Sequence, residues 1–363
     1  MTPQGTAPLR VAVWATGTIG RHAIAGIDAH PALELVGVWV STPEKVGRDA
    51  GDLAGLDHTT GVLATGDREE ILALAPDCVL YAAITDHRVL EGIEDLFGLV
   101  EAGVNVVASS PVLLQWPHGI LPPEMLERLA RAGAATGASL HVNGIDPGWA
   151  NDVLPLQLTS LSARIDQVRV SELADYSTYD QPWVMTSMFG FGRPMSDTPP
   201  LFRPGMLSGG WGSVVRQIAA GLDLVLDEPL VEHVERHAAE TDVSTVSCEV
   251  PAGSQGAVRF TVAGCVDGVE KVVLEHVTRT HPDQAPHWPK ADNGVAAFRV
   301  EVTGEPHLRV EFTHHASDGD HGTSGMLTTA MRLVNAVPAV VAAPGGLVTA
   351  LDLPLVTGRG LVS

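Results

Sequence analysis

Residues 11–24 read VAVWATGTIGRHAI. An apolar run, Val11 to Trp14, meets a turn that holds Gly17 and Gly20, and a helical pattern follows at once. A strand that passes through small residues into a helix has the form of a dinucleotide cradle. Each small residue has a mechanical reason: a tight turn, close backbone approach to a pyrophosphate, and packing of helix on strand. The slots here are Ala15, Gly17 and Gly20, with alanine in the first. Together with Thr16, Thr18 and Ile19 they form a candidate phosphate-binding turn, set where the unpaired N–H groups of a helix start attract an anion.

The flanking sequence supports that reading. RVAVWA (10–15), ELVGVWV (34–40), DCVLYAA (77–83), NVVAS (105–109) and SLHVNGI (139–145) read as strands. Helical stretches such as EEILALA (69–75) and EMLERLARAGAATG (124–137) lie between them. Apolar strands separated by helices predict a Rossmann-type parallel sheet covered on both faces. Asp146 as an N-cap with Pro147 in the first position predicts a helix directly after the fifth strand, its apolar pattern starting at Trp149.

Beyond residue 150 the pattern changes. QVRVSEL (167–173), DVSTVSCEV (242–250), AVRFTVAGCVDG (257–268), VEKVVLEHVTRT (269–280), AAFRVEVTG (296–304) and LRVEFTHH (308–315) read as strands, several alternating polar and apolar residues. The Asp-Gly in VDGVEK predicts a hairpin. With one helix near 213–222, this is a second α+β domain with a mostly antiparallel sheet. TSGMLTTAMRLVNAV (323–337) returns to helical spacing. The expected division is a dinucleotide-binding domain over 1–148, completed by 323–363, and a substrate-binding domain over 149–322.

Bulk properties narrow the function. A chain of 363 residues exceeds what one core usually supports. The formal charge of −21 disfavours nucleic acid as a partner. Cys78, Cys248 and Cys265 are scattered and odd in number, which fits buried thiols in a reducing compartment. MTPQGTAPLR lacks the apolar core of a signal peptide, so the expected location is the cytoplasm. Leu333 to Leu351 carries no charge, but Asn335, Pro338, Pro344, Gly345 and Gly346 interrupt it; it reads as a buried helix and an apolar loop, and no membrane span is expected.

The second strand indicates which dinucleotide. An NAD site calls for an acid at that strand's tip to accept the ribose 2′-hydroxyl. Here the chain reads VWVSTPEKVGR, placing Ser41, Thr42, Lys45 and Arg48 there. Hydroxyls and cations suit a 2′-phosphate, so NADP is favoured, with Glu44 the residue that keeps NAD possible. Ala82, Ala83, Ser109, Ser110 and Asn143, after the third, fourth and fifth strands, are the further cofactor candidates. Pro111, Trp149, Val153 and His321 are the substrate-side candidates. Tyr176, Tyr179, Asp180 and His141 are the candidate proton groups. HHASDGDHG (314–322) reads as a solvated turn, and no metal is expected. HEXXH, Cys-x-x-Cys, GxxxxGK[ST] and a short-chain-dehydrogenase Tyr-x-x-x-Lys are all absent.

WATGTIGR, VSTPEKVGRDAG, NGIDPGWANDVLP and MRLVNAVPAVVAAPGGLVTALDLP together resemble the dihydrodipicolinate reductase-like family, in its 2,4-diaminopentanoate dehydrogenase and native amine dehydrogenase branch. The resemblance implies an NAD(P)-binding Rossmann domain, a mixed second domain that makes a homodimer, and a C-terminal helix packed on the first domain. It implies hydride transfer to the imine of a small ketone or aldehyde with ammonia, or the reverse oxidation. It also matches Trp149 and Val153 to pocket-lining positions. Amine-forming relatives carry a Glu just after the fourth strand; this chain reads ASSPVLLQWP there, with no acid between Ala108 and Glu124. The expected function is NADPH-linked reduction of C=N or C=O in a small apolar molecule, amine dehydrogenase-like. A ketone or imine reductase that does not use ammonia, and a non-catalytic NADP-binding sensor, are the alternatives.

Overall fold

The computed structural model describes residues 7–317 and 319–362. Residues 1–6, within the stretch read for a signal peptide, and Asp318 of the His/Asp turn lie outside them. The chain forms two compact units, one running up to Ile145 and resuming at Met326, the other spanning Asp146–Gly325.

The first unit carries strands β1 (Leu9–Trp14), β2 (Leu33–Trp39), β3 (Ala64–Thr65), β4 (Cys78–Tyr81), β5 (Asn105–Ala108) and β6 (Ser139–Val142). Helices α1 (Thr18–Asp28), α2 (Ala50–Ala54), α3 (Arg68–Ala73), α4 (Val89–Glu101) and α5 (Pro123–Thr136) connect them. A short return strand, Gly346–Leu347, pairs with β6 and completes a parallel sheet of order return–β6–β5–β4–β1–β2–β3. The strand order reverses between β1 and β4, so the turn after β1 stands where open α/β sheets bind ligands. Alternation along β1 explains both covered faces. Val11 and Val13 pack with Ile24, Ile27, Leu333, Val334 and Val337. Ala12 and Trp14 face the opposite way, onto Ile93, Leu96, Phe97 and Leu129. Full burial of one such leucine contributes roughly 2 kcal/mol.

The second unit holds α6 (Val153–Thr159), β7 (Arg164–Asp175), α7 (Met206–Gly221), β8 (Val231–Ala238), the ribbon of β9 (Val243–Ser244) and β10 (Glu249–Val250), β11 (Gln255–Val266), β12 (Val269–Arg279), β13 (Ala296–Glu305) and β14 (Leu308–Phe312). Helix α8, His321–Val341, follows them in the chain. The main sheet runs β14–β13–β7–β12–β11–β8, antiparallel except for the β7–β12 pair. One face, through Val168, Val170, Phe260, Leu274 and Val300, packs on Val214, Val215 and Ile218 of α7. The other face carries alternating charges: Arg259 bonds Glu275 at 2.7 Å and Glu235 at 3.0 Å, and Arg299 bonds Glu311 at 2.6 Å. The Asp-Gly hairpin forms as expected, with Asp267 at φ +52° and Gly268 at φ +74°, the pair of positive values a primed turn requires.

Three expectations need correction. Residues 242–250 are not one strand: the Thr245 hydroxyl donates to the Cys248 carbonyl and accepts from its N–H, each at 2.9 Å, and folds the segment into the β9–β10 ribbon. Strand β8 was not anticipated, because Glu232, Glu235 and Arg236 mask its alternation. The helix after β6 starts at Val153, and its cap is Asp152, which accepts from the Val153 N–H at 2.5 Å; Asp146 has another task. Two helices run longer than their sequence patterns, α7 from Met206 and α8 to Val341. Among the described residues no helix is long and apolar enough to cross a membrane.

Candidate active site

The glycine turn takes the form its sequence implies. Ala15, in the first small slot, sits at φ +80°, a left-handed conformation that glycine enters without strain. A Cβ on Gly20 would stand 2.0 Å from the Ala15 carbonyl oxygen, so this slot admits no side chain. A Cβ on Gly17 would meet nothing within 4 Å, leaving the backbone open to an approaching group. Gly17 caps α1, whose first turn therefore presents unpaired N–H groups. Beside it lies a cavity of about 300 Å³ lined by Thr16, Gly17, Thr18, Arg21, Lys45, Arg48, Asp52 and Leu53. Lys45 Nζ donates to Thr16 Oγ1 at 3.0 Å and to the Thr16 carbonyl at 3.3 Å, tying the second strand's tip to the turn. Three cations against one acid make this a place for a phosphate inside a strongly acidic chain. Ser41, Thr42 and Glu44 are exposed beyond it and do not line the cavity.

The other candidates of the first unit have varied settings. Ala82 and Ala83 follow β4, and Ala82 comes into contact range of a Cβ at Gly20. Ser110 is bound by its neighbours: its hydroxyl meets Thr85 Oγ1 in a short hydrogen bond and donates to the Ala83 carbonyl at 3.2 Å. Ser109 is half-buried beside it, its N–H bonded to the Tyr81 carbonyl, and Pro111 is buried at the head of a single turn. Asn143 is buried and donates to the Arg332 carbonyl of α8 at 3.3 Å. His141 is not placed as a proton group. It is fully buried in β6, with Nδ1 2.8 Å from the Val348 carbonyl, and burial lowers its pKa to about 4.

The second unit contains a group that the sequence reading missed. Cross-strand register sets Phe312, Phe298, Glu172, His276, Phe260 and Val234 in one row across the sheet. Glu172 and His276 thus stand side by side on the face that is otherwise apolar core. His276 Nδ1 lies 3.3 Å from Glu172, and its Nε2 lies 3.5 Å from Asp146, all three side chains being nearly fully buried. Phe260 stacks on the imidazole at 4.8 Å, and Trp211 of α7 meets it edge-on at 5.1 Å. Burial, opposed by His276 and reinforced by Asp146, pushes the Glu172 carboxyl up to about 7. Burial pulls His276 down, but Glu172 and Asp146 outweigh it and hold the imidazole above its ordinary value. The donor atoms of the three lie within 4.8 Å of one another. Each ring nitrogen faces a different carboxylate, which suits a ring bridging by protons better than three ligands sharing one ion.

Of the proton candidates, only Tyr176 joins this group. Its hydroxyl donates to Glu172 Oε1 at 2.6 Å, and burial followed by the Glu172 charge raises its pKa well above the usual value. Tyr179 stacks on Tyr176 at 4.6 Å, whereas Asp180 is exposed. Trp149 and His321 are brought into one aromatic line: Trp149 to Phe312 at 4.9 Å, Phe312 to His314 at 5.5 Å, His314 to His321 at 4.3 Å. Asp320, next to His321, accepts from Thr178 at 2.7 Å, fastening that loop to the turn between the two tyrosines. Val153 is half-buried at the start of α6. The signal for the missed residues was present: Val168, Val170, Glu172 and Val272, Leu274, His276 keep one period of alternation, with an ionisable residue at an inward position of each strand. Arg21 was legible too, one residue past Gly20 on the helix that opens the cradle.

Residues 149–360 match the family model described as the 2,4-diaminopentanoate dehydrogenase C-terminal domain. The chain is 45% identical over 348 residues to an amine dehydrogenase of Streptomyces virginiae, spanning 94% of this chain and 95% of that protein. It is 23% identical over 363 residues to a 2,4-diaminopentanoate dehydrogenase of Acetoanaerobium sticklandii, spanning 96% and 94%. The structure of an amine dehydrogenase from Mycobacterium smegmatis superposes with a TM-score of 0.76 over 97% of each chain, at 21% identity, a likeness of fold.

Proposed function

The chain belongs to the 2,4-diaminopentanoate dehydrogenase family, and we propose on that footing that it is an NADP-preferring member acting on C=N or C=O in a small apolar molecule. It is an NAD(P)-dependent oxidoreductase of amine dehydrogenase type. The observation that carries the cofactor reading is the cavity beside the glycine turn, where Arg21, Lys45 and Arg48 converge. Thr16, Gly17, Thr18 and the first N–H groups of α1 would hold the pyrophosphate, with Ala15, Ile19 and Gly20 shaping the turn. Lys45, Arg48 and Arg21 would hold the 2′-phosphate, with Ser41 and Thr42 at its edge. Ala82, Ala83, Ser109, Ser110 and Asn143 would border the nicotinamide side. When bound, the cofactor supplies or takes up a hydride.

Substrate binding is assigned to the second unit, with Trp149, Val153 and His321 as apolar wall and Tyr176 as the group that gives a proton to the reduced nitrogen or oxygen. The homodimer that the family resemblance implies is part of this reading, and a twofold axis would bring the same face of two copies together. The free thiols of Cys78, Cys248 and Cys265 support a cytoplasmic protein. One observation favours a second reading, a carbonyl or preformed-imine reductase: the stretch from Ser109 to Pro123 holds no carboxylate to handle ammonia.

A single assay tests the reading. The protein with NADPH or NADH is given ketones and aldehydes, with and without ammonia, and cyclic imines. Turnover that requires ammonia supports the amine dehydrogenase; turnover without it supports the reductase; absence of turnover with every substrate overturns both. NADPH should bind more tightly than NADH, and Lys45→Ala should weaken NADPH by about tenfold to a hundredfold while leaving NADH nearly unchanged. Equal affinities for the two cofactors would overturn the NADP assignment.

A further inference from the structure

Resting on the reading of Tyr176 as proton donor, we propose that Glu172, His276 and Asp146 form a buried proton store that reloads the Tyr176 hydroxyl at each turnover. The geometry is one hydrogen bond followed by two close approaches, in which both ring nitrogens of His276 and both carboxylate oxygens of Asp146 are buried with no other hydrogen-bond partner among the described residues. Tyr176 Oη lies 2.6 Å from Glu172, Glu172 lies 3.3 Å from His276 Nδ1, and His276 Nε2 lies 3.5 Å from Asp146. Its walls are apolar: Phe260 and Trp211 enclose the imidazole, and Phe298 stands beside Glu172 in the next strand. A purely structural role gives no reason to set two carboxylates and an imidazole in that core. A well-packed apolar trio would be about as stable or more so.

The direction of one hydrogen bond decides what Tyr176 can do. With Glu172 ionised, the phenolic proton is tied to the carboxylate. With Glu172 protonated, its carboxyl donates to the Tyr176 oxygen and frees the phenolic proton to point elsewhere. During reduction the carbon takes the hydride and the π pair moves to nitrogen or oxygen. That atom takes the Tyr176 proton, the Tyr176 oxygen takes the Glu172 proton, Glu172 recovers one from His276 Nδ1, and His276 takes one proton from solvent before the next turnover. Asp146 steadies the imidazole from its other nitrogen. Oxidation runs each transfer backwards, and no electrons move beyond the hydride pair. The ionisable groups that bear on Glu172 are Tyr176 from the turn after β7, His276 from β12 and Asp146 from the loop before α6; Tyr179 acts on Tyr176, and Glu275 acts on His276. With the Glu172 carboxyl near 7, the store is loaded below neutrality and empties above it.

The test is kcat for reduction against pH, on the substrate found above, with NADPH affinity measured as a check on folding. Wild-type kcat should fall as pH rises through one ionisation near neutrality. Glutamine donates a hydrogen bond but cannot give up a proton, so Glu172→Gln should lower kcat by roughly a hundredfold and flatten the profile, with KM and NADPH affinity unchanged. Glu172→Asp should restore the pH dependence, and His276→Gln should move its midpoint. If Tyr176→Phe keeps full kcat, the donor reading and the store fall together. If Tyr176→Phe is slow while Glu172→Gln keeps the wild-type profile, only the store is overturned. Should the Glu172 variants fail to fold, a flat wild-type profile or an unmoved His276→Gln midpoint overturns it equally.

Discussion

Two buried histidines show how neighbours set a side chain's task. His276 and His141 are both sealed from solvent, yet one is held between carboxylates and the other meets only a backbone carbonyl. Burial therefore wins at His141 and lowers its pKa to about 4. An unfolded chain binds a proton at this residue below about 6.5, while the folded one refuses it until about 4. The unfolded state thus holds more protons across that window, and stability falls as pH drops through it. The loss should total roughly 3 kcal/mol for this residue. His141→Asn keeps a donor for the Val348 carbonyl and removes the titration. Urea unfolding at steps from pH 7 to pH 4 should give the variant a shallower decline than the wild type; parallel curves would remove His141 from the acid response.

At the scale of elements, helix α6 marks where the sequence reading stopped being reliable. Asp146-Pro147 has the local chemistry of a helix start, but a cap pattern carries only local information. A tertiary partner, His276, takes the Asp146 carboxylate instead, and the helix is capped six residues later by Asp152. Asp152 is fully buried, accepting from the Gly148 N–H at 2.7 Å and the Val153 N–H at 2.5 Å. Asp152→Ala removes a cap and leaves the Gly148 donor without this acceptor, so it should cost about 2–3 kcal/mol. A shift in urea midpoint worth less than about 1 kcal/mol would show that the loop re-caps itself. The glycine turn, by contrast, was legible in its shape, because Ala15 and Gly20 answer to steric limits within one turn. The Glu172–His276 pair was not, because it depends on strands β7 and β12 becoming parallel neighbours across about a hundred residues of chain.

At the scale of the whole molecule, periodicity revealed two kinds of sheet, since continuous and alternating apolar runs reflect burial on two faces or one. It could not show which distant segments complete each unit, such as the return strand beside β6. The cores are separate: the clusters around β1 and around β4–β6 contain only first-unit residues, and those on the large sheet only second-unit residues. The cradle lies wholly within the first unit. A ligand that binds only the folded form of one unit stabilises that unit by mass action, by about 2.7 kcal/mol at a hundred times Kd. For a unit of this size that is a rise of roughly 5–10 °C. Calorimetry should therefore resolve two transitions and show NADPH raising one of them, the other moving far less. Lys45→Ala should shrink the rise without lowering either transition in the absence of cofactor. A single transition, or equal displacement of both, would mean that the units unfold as one and that cofactor binding is felt in the second core as strongly as in the first.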